Sequence, residues 1–234
     1  PNSEKLSYQW QSRDQKNLKL TVYDLNSHKQ KNLISEVSPV WINLNKDLYF
    51  LNDSSFIWAS ERDGYKHLYH FDPHGELITQ LTKGDWVVDT LQSVDEENGW
   101  VYFTGRADTP LERHLYKVPL TGKSPDHVAH ITTRNGVHNI TFSHNKQNYL
   151  DDFSNITTPH QVSLHRSNGQ HLAWLAENKI DQQHPLFNYY DDLVQPEFGS
   201  LKSDDEQAVL YYKLFTPKQL MPGKKYPVIV HVYG

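Results

Sequence analysis

The sequence predicts an all-β protein, a partial β-propeller of about four four-stranded blades followed by the first strands of a truncated second domain. Three observations lead to this prediction. No stretch sustains the 3.6-residue period of an amphipathic helix. Short runs of Val, Ile, Leu, Tyr, Phe and Trp alternate with clusters of Asn, Asp, Gly, Pro and Ser, as strands alternate with turns. Some of these runs recur at a spacing of about 47 residues, which is typical of repeat architectures.

The predicted strands are runs of β-branched and aromatic residues, whose side chains suit a pleated surface. Turn residues separate nearly all of these runs. In chain order the predicted strands cover residues 19–25, 47–51, 55–60, 67–72, 77–81, 86–91, 100–105, 115–120, 139–143 and 161–166.

One of these strands has echoes along the chain. Residues 68–72 (LYHFD) resemble 115–119 (LYKVP), 162–165 (VSLH) and, upstream, 22–24 (VYD). A unit of about 40–50 residues with four short antiparallel strands matches a propeller blade, because each small twisted sheet must bury both faces against its neighbours. The alternative is a β-sandwich whose strand spacing imitates a repeat.

Where the repeat ends, the pattern changes. Residues 178–184 are predicted as a short helix that Pro185 ends, and residues 188–196 as a linker. Two further strand-like runs follow, at 208–216 and 226–233, and the second is almost continuously apolar. A strand that is buried on both faces of an α/β sheet has this character.

These changes divide the chain into two predicted parts. Residues 1–196 form the β-propeller portion, and residues 197–234 begin a second domain that is truncated. The chain starts at Pro1, stops at Gly234 directly after an apolar run, and contains a single Met. We therefore expect it to be a piece of a longer protein.

Composition and charge exclude several classes of protein. Of the 234 residues, 37% are hydrophobic and 12% aromatic, which is too much apolar material for a disordered chain. The net charge of -5 argues against a nucleic-acid partner, because such binding depends on a basic surface. No apolar run approaches the roughly 20 residues of a membrane span in this segment. With no Cys, disulfides, thiolate metal sites and a cysteine nucleophile are excluded.

Three segments carry a resemblance to a known family. Residues 56–69 (FIWASERDGYKHLY), 81–88 (LTKGDWVV) and 225–234 (KYPVIVHVYG) are similar to the dipeptidyl peptidase IV branch of the prolyl oligopeptidase family of serine peptidases. The resemblance keeps its order nearly from end to end. It implies a β-propeller that caps an α/β-hydrolase domain with a Ser-Asp-His triad. Residues 1–196 would be later propeller blades, and residues 197–234 the start of the hydrolase domain.

The resemblance also implies an activity. Enzymes of this branch release dipeptides from peptide N-termini after a penultimate Pro or Ala, and they use no cofactor. The implied partners are peptide substrates, and a homodimer of the full-length protein is a further expectation. The propeller portion would restrict the access of substrates to the active site. The alternative function is a non-enzymatic propeller that binds a protein partner, because propellers host both roles.

The family's main catalytic groups are expected outside this chain. No G-x-S-x-G motif occurs among the 11 Gly, so the nucleophile is missing. The family's acidic pair, which binds the substrate amino terminus, is expected upstream of Pro1. We therefore expect the chain by itself to have no peptidase activity.

Tyr233 is the one candidate catalytic residue. It ends the apolar run and precedes Gly234, and the family's oxyanion tyrosine stands in the same Tyr-Gly context. A Tyr hydroxyl stays protonated at neutral pH and can donate a hydrogen bond to a developing oxyanion. Without the resemblance, a Tyr at a strand end is more often a packing residue.

Other polar clusters are predicted to be structural. The acidic pairs at 96–97, 151–152, 191–192 and 204–206 are interpreted as solvated loops, and the charged segment 61–63 as a turn. The spacings His67-x-x-His70 and His127-x-x-His130 invite a metal site. On a strand such residues face opposite sides, so surface or loop imidazoles are predicted instead.

Three Asn residues fit the glycosylation acceptor pattern, namely Asn52, Asn139 and Asn155. Large eukaryotic ectodomains of the family normally carry disulfides, and this sequence has no Cys. We therefore expect a bacterial, periplasmic or secreted protein in which these three acceptor sites are unused.

Overall fold

The computed structural model describes residues 4–123 and 128–232, and within them it is almost entirely β. Four antiparallel sheets follow one another along the first part of the chain, and their strands pair in chain order. The first sheet has three strands, β1 (Lys5–Gln11), β2 (Asn17–Asp24) and β3 (Lys29–Val37). The second has four, β4 (Leu48–Phe50), β5 (Phe56–Ser60), β6 (His67–Phe71) and β7 (Leu77–Gln80).

The third and fourth sheets repeat this four-stranded order. The third contains β8 (Val88–Asp95), β9 (Trp100–Gly105), β10 (His114–Pro119) and β11 (Ala129–His130). The fourth contains β12 (Val137–Phe142), β13 (Asn148–Ser154), β14 (Gln161–Arg166) and β15 (His171–Ala176). The fold class is therefore confirmed as a partial propeller. A β-sandwich would place these strands in two facing sheets, but they form separate meanders.

The repeat seen in the sequence corresponds to one strand position. Its four echoes lie in β2, β6, β10 and β14, each of which is the next-to-last strand of its sheet. Such a strand is paired on both sides. Its two faces are also covered by side chains of other sheets where neighbours are present, as in β6 and β10. Burial on every side accounts for the recurrent apolar pattern.

Three hydrophobic clusters lie between successive sheets. The first joins Leu18, Leu20 and Ile34 of the first sheet to four aromatic residues of the second. The next joins the second sheet to the third, and the last joins the third to the fourth. Strand β5 shows how one strand serves two clusters. Phe56 and Trp58 face the first cluster, whereas the alternate residues Ile57 and Ala59 face the second.

The short helix predicted at 178–184 is wrong. Asn178 has a left-handed φ of 45°, and isolated turns follow it. The helix in this region is instead α1 (Phe187–Tyr190), which begins after Pro185. Proline is tolerated just before or at the first turn of a helix, where its missing N–H costs nothing, so it precedes this helix rather than ending one.

The second compact unit comprises residues 156–159 and the described residues from 178 onward. Its hairpin pairs β16 (Glu197–Lys202) with β17 (Val209–Leu214), which confirms the predicted strand at 208–216. Residues 226–232 form no strand, and Val228 and Ile229 are 75% and 95% exposed. A strand requires hydrogen-bonded neighbours, and the described part of the chain supplies none for this run.

The predicted domain boundary between residues 196 and 197 stays a prediction. The compact units divide elsewhere, since the first contains residues up to 155 together with 160–177. Within the described residues, no helix is both long enough and apolar enough to cross a membrane.

Candidate functional site

A cavity of about 370 Å³ lies beside the SERDGYKHLY segment in the first compact unit. One wall is the connection that leads into β4, and the other walls come from the end of β5 and the start of β8. Its charged lining consists of Glu36, Asp47, Glu61, Asp89, Lys46 and Lys66. Two of the four carboxylates, Glu36 and Asp89, pair with Arg62 and Arg106 beside the cavity, so its charges are balanced.

A turn that contains Asn45 and Asp47 lines the cavity, and hydrogen bonds fix its conformation. Asn45 and Asp47 are both buried, and the Asn45 side-chain oxygen accepts the backbone N–H of Asp47 at 2.9 Å. The Asn45 amide donates to the carbonyl of Ala59, and Gln9 accepts the Asn45 backbone N–H. The Gln9 side chain of the first sheet and the Ala59 carbonyl of the second therefore hold this turn in one conformation, as buried polar groups require.

Lys66 connects the second sheet to the third across this cavity. Its ammonium lies 2.5 Å from Asp47 Oδ2 and donates to the Asp89 carbonyl at 2.9 Å. Asp47 Oδ1 in turn accepts the Leu91 backbone N–H at 2.9 Å, and Arg106 pairs with the Asp89 side chain at 3.2 Å. Asp47 is thus paired with Lys66, and Asp89 with Arg106, which holds these lining charges in place.

The charged segment 61–63 is a turn, as predicted, and it also joins two sheets. Gly64 N–H donates to the Glu61 carbonyl at 3.0 Å, which closes the turn. Arg62 reaches Glu36 at 2.9 Å and lies over the Tyr69 ring at 4.8 Å. Burial and then the neighbouring Asp63 carboxylate raise the pKa of the Tyr69 hydroxyl, which therefore stays protonated.

The prediction that His67 is a surface or loop imidazole is wrong, because this side chain is fully buried at the start of β6. Its Nε2 faces the Gly84 carbonyl at 2.8 Å and must donate there. Its Nδ1 then accepts from the Thr82 hydroxyl at 3.0 Å, and the same oxygen accepts the Leu68 N–H at 3.0 Å. His70 bonds elsewhere, to Ser55 at 2.9 Å. His127 lies outside the described residues.

The third sheet repeats this buried pair. His114 Nδ1 lies 3.1 Å from the Thr132 hydroxyl, and that oxygen accepts the Leu115 N–H at 3.0 Å. The sequence carries a signal for both pairs, although the spacing of the histidines does not reveal it. In each case HLY at the next-to-last strand is followed, after the last strand, by an aliphatic residue and Thr. In the described ranges no group of three or more His, Asp or Glu is arranged to hold a metal.

The interpretation of 151–152 as a solvated loop is also wrong. Asp151 is buried in β13, where it pairs with His138 Nδ1 at 2.7 Å. The alternation of the strand separates the two acids, because Asp152 faces outward and pairs with the exposed His160. The pairs at 191–192 and 204–206 lie in exposed turns, as predicted.

Ser163 and His165 have the spacing of a nucleophile and its base. Ser163 Oγ lies 2.8 Å from His165 Nε2, and His165 Nδ1 lies 3.2 Å from the Gly169 carbonyl. However, Ser163 is buried in β14, and the His165 ring stacks on Tyr149 with 5.1 Å between ring centres. A substrate could not reach this hydroxyl, so the pair is structural.

Tyr233, the candidate oxyanion donor, lies outside the described residues, as does Gly234. Its role stays a prediction. The site residues that the structure does bring together are therefore those of the cavity and of the buried histidine pairs.

Comparison with known proteins agrees with this architecture. Dipeptidyl peptidase 8 of Homo sapiens is 30% identical over an alignment 242 positions long, which covers 86% of this chain and 26% of the relative. The mouse protein of the same name is 29% identical with the same coverage. The crystal structure of Porphyromonas gingivalis dipeptidyl peptidase 4 matches with a TM-score of 0.85 and 24% identity, over 97% of this chain and 31% of that chain.

The chain thus spans about a quarter of the length of the curated relatives that it matches. A profile of the dipeptidyl peptidase IV (DPP IV) N-terminal region matches residues 1–160, which is more than half of the chain. On this evidence the chain belongs to the family of the dipeptidyl peptidase IV N-terminal region.

Proposed function

We propose that the chain is the non-catalytic propeller portion of a serine exopeptidase that releases N-terminal dipeptides with a penultimate Pro or Ala. Family membership together with the partial propeller carries this proposal, since the matched relatives are named dipeptidyl peptidases. The chain covers only part of those relatives, so the activity belongs to the whole protein.

The propeller's contribution is to limit which peptides enter. The links Lys66–Asp89 and Arg62–Glu36 support this role, because they make adjacent sheets a stiff wall rather than a set of independent hairpins. A stiff wall would admit peptides according to their size and according to whether they present a free terminus.

The catalytic steps are assigned to groups of the whole protein, with Tyr233 as oxyanion donor. Acyl transfer needs a nucleophile, a base and its orienting acid in addition to such a donor. The chain carries no G-x-S-x-G motif for the nucleophile. By itself it is expected to be inactive.

The experiment compares the full-length gene product with the chain of 234 residues. Both are assayed with Gly-Pro and Ala-Pro anilides, with and without a serine-directed inhibitor. We expect inhibitor-sensitive release of the anilide by the full-length protein and none by the chain. An inactive, folded full-length protein would favour the protein-binding scaffold, and serine-dependent cleavage by the chain would contradict its inactivity.

We also propose that the whole protein is bacterial, acts in the periplasm or after secretion, and forms a homodimer. The absence of Cys supports a bacterial origin, because large eukaryotic ectodomains of the family normally carry disulfides. Fractionation of the source cells against a periplasmic marker tests the location, and light scattering of the purified protein tests the dimer. Recovery in the cytoplasmic fraction, or a monomer at micromolar concentration, would contradict the respective part.

A further inference from the structure

Three histidines meet where the third sheet joins the fourth. His114 of β10 lies between His130 of β11 and His138 of β12, with ring centres 4.4 Å and 5.2 Å away. The side chains of His114 and His138 are only 3% and 2% exposed, whereas that of His130 is 36% exposed. We call this contact between the two sheets the joint. Two backbone hydrogen bonds also cross it: Arg113 N–H donates to the Gly136 carbonyl and His138 N–H donates to the Arg113 carbonyl, both at 3.0 Å.

The hydrogen bonds of His138 require two ring protons. Its Nδ1 faces Asp151 Oδ2 at 2.7 Å, and its Nε2 faces the Arg134 carbonyl at 2.8 Å. Carboxylate and carbonyl oxygens only accept hydrogen bonds, so both ring nitrogens must donate. The ring is therefore an imidazolium, which forms a buried ion pair with Asp151.

Both ring nitrogens of His114 can make their hydrogen bonds while the ring is neutral. Its Nε2 faces Glu112 at 2.9 Å and donates there. Its Nδ1 faces the Thr132 hydroxyl, which can donate a proton to it. A neutral ring fills both bonds. The exposed member, His130, has its Nδ1 3.3 Å from Asp108, a carboxylate that also accepts from Tyr116.

The negative and positive charges around the joint are equal in number when one of the three rings is an imidazolium. The carboxylates are Asp108, Glu112 and Asp151, which pair with the three rings in turn. Two guanidinium groups face them. Arg113 donates to the His138 carbonyl at 3.3 Å, and Arg134 lies 3.8 Å from the centre of the Phe153 ring that packs on His138. Three carboxylates are therefore balanced by two guanidinium groups and the imidazolium of His138.

We infer that this joint is an acid-sensitive contact: it is closed while His138 is the only charged ring of the three, and it loosens when the partly exposed His130 gains a second charge. Only the His114 ring separates His130 from His138, so imidazolium rings at both outer positions repel across a partly buried site. Burial, and then His114, lower the pKa of His130 below its ordinary value of 6.5. A lowered histidine pKa means that the stabilisation is complete above pH 6.5 and is lost as the pH falls below it.

Amide hydrogen exchange of Arg113 and His138 tests this inference, which does not depend on the proposed peptidase function. The full chain is measured at pH 7.5 and pH 5.5, and the rates are corrected for the intrinsic effect of pH. We expect protection at these two amides to fall on the order of tenfold at pH 5.5, because of like-charge repulsion. Amides in the first sheet should change little.

One variant and one control separate the joint from general acid effects. His130→Gln removes the second titrating ring from a partly exposed position and should reduce the loss of protection. His144→Gln removes an exposed imidazole from the turn between β12 and β13 and should behave like the unmodified chain. An unchanged acid response in His130→Gln, or equal protection at both pH values, would overturn the inference.

Discussion

Arg62 of the second sheet donates to Glu36 of the first at 2.9 Å, and the same carboxylate oxygen accepts the indole N–H of Trp58 at 3.0 Å. One glutamate therefore serves an exposed cation and a fully buried aromatic side chain. The guanidinium also covers the rings of Tyr69 and Phe71 at 4.8 Å and 5.2 Å. The contact between the two sheets thus depends on a residue from the segment that carries the family resemblance.

Arg62→Ala should destabilise the chain by about 1–2 kcal/mol, because it removes the stacking on two rings as well as the ion pair. The ion pair alone contributes little, since the Arg62 side chain is 34% exposed. Urea unfolding measures the change. Arg62→Lys keeps the charge and loses the planar stacking, so its stability should lie between that of Arg62→Ala and that of the unmodified chain. An Ala variant as stable as the unmodified chain would contradict this account.

Thr82→Val should cost about 1–3 kcal/mol of folding free energy. Valine has nearly the same shape, but it leaves the Leu68 N–H and His67 Nδ1 without the hydroxyl that both bond. Thr82→Ser keeps the hydroxyl and is the matched control, with an expected loss of about 0.8 kcal/mol for the methyl group. Thermal unfolding of both variants provides the comparison. If Val and Ser destabilise equally, the hydroxyl has no special role.

Gly75→Ala should be more destabilising than Gly64→Ala. Both glycines have positive φ, 91° and 103°, so an added Cβ costs about 1–2 kcal/mol of backbone strain at either position. At Gly75 that atom would also collide with the Leu33 backbone carbonyl of the neighbouring sheet, whereas at Gly64 nothing lies within 4 Å. The clash adds about 1–3 kcal/mol. Equal midpoints in urea would show that the sheets are free to separate here.

Tyr233→Phe in the full-length protein should lower kcat on the order of 10²–10³-fold with little change in KM. The substitution removes one hydroxyl and keeps the ring, so the transition state loses a donor while packing survives. Steady-state kinetics with Gly-Pro anilide measures the effect, and a thermal melt checks the fold. Near-normal kcat in a folded variant would mean that Tyr233 is a packing residue.

Strands with two buried faces are predictable from the sequence. All five residues of β5 are buried, and the first four face one cluster or the other, so the run FIWAS is recognisable. The outer strands β1 and β15 are mostly or wholly exposed and mix polar with apolar residues, and neither was predicted. Strand β13 was missed for another reason. Its acidic residues Asp151 and Asp152 suggested a loop, although one of them is buried.

The sequence by itself determined the fold class, the repeat of about 47 residues and the family, because these depend on which residues are apolar and on their order. Only the tertiary structure decided which polar groups are buried. His67 depends on Thr82, and His138 depends on Asp151, each brought from a different strand or turn. A polar side chain is stable inside only when such a partner reaches it, and no local pattern specifies that meeting.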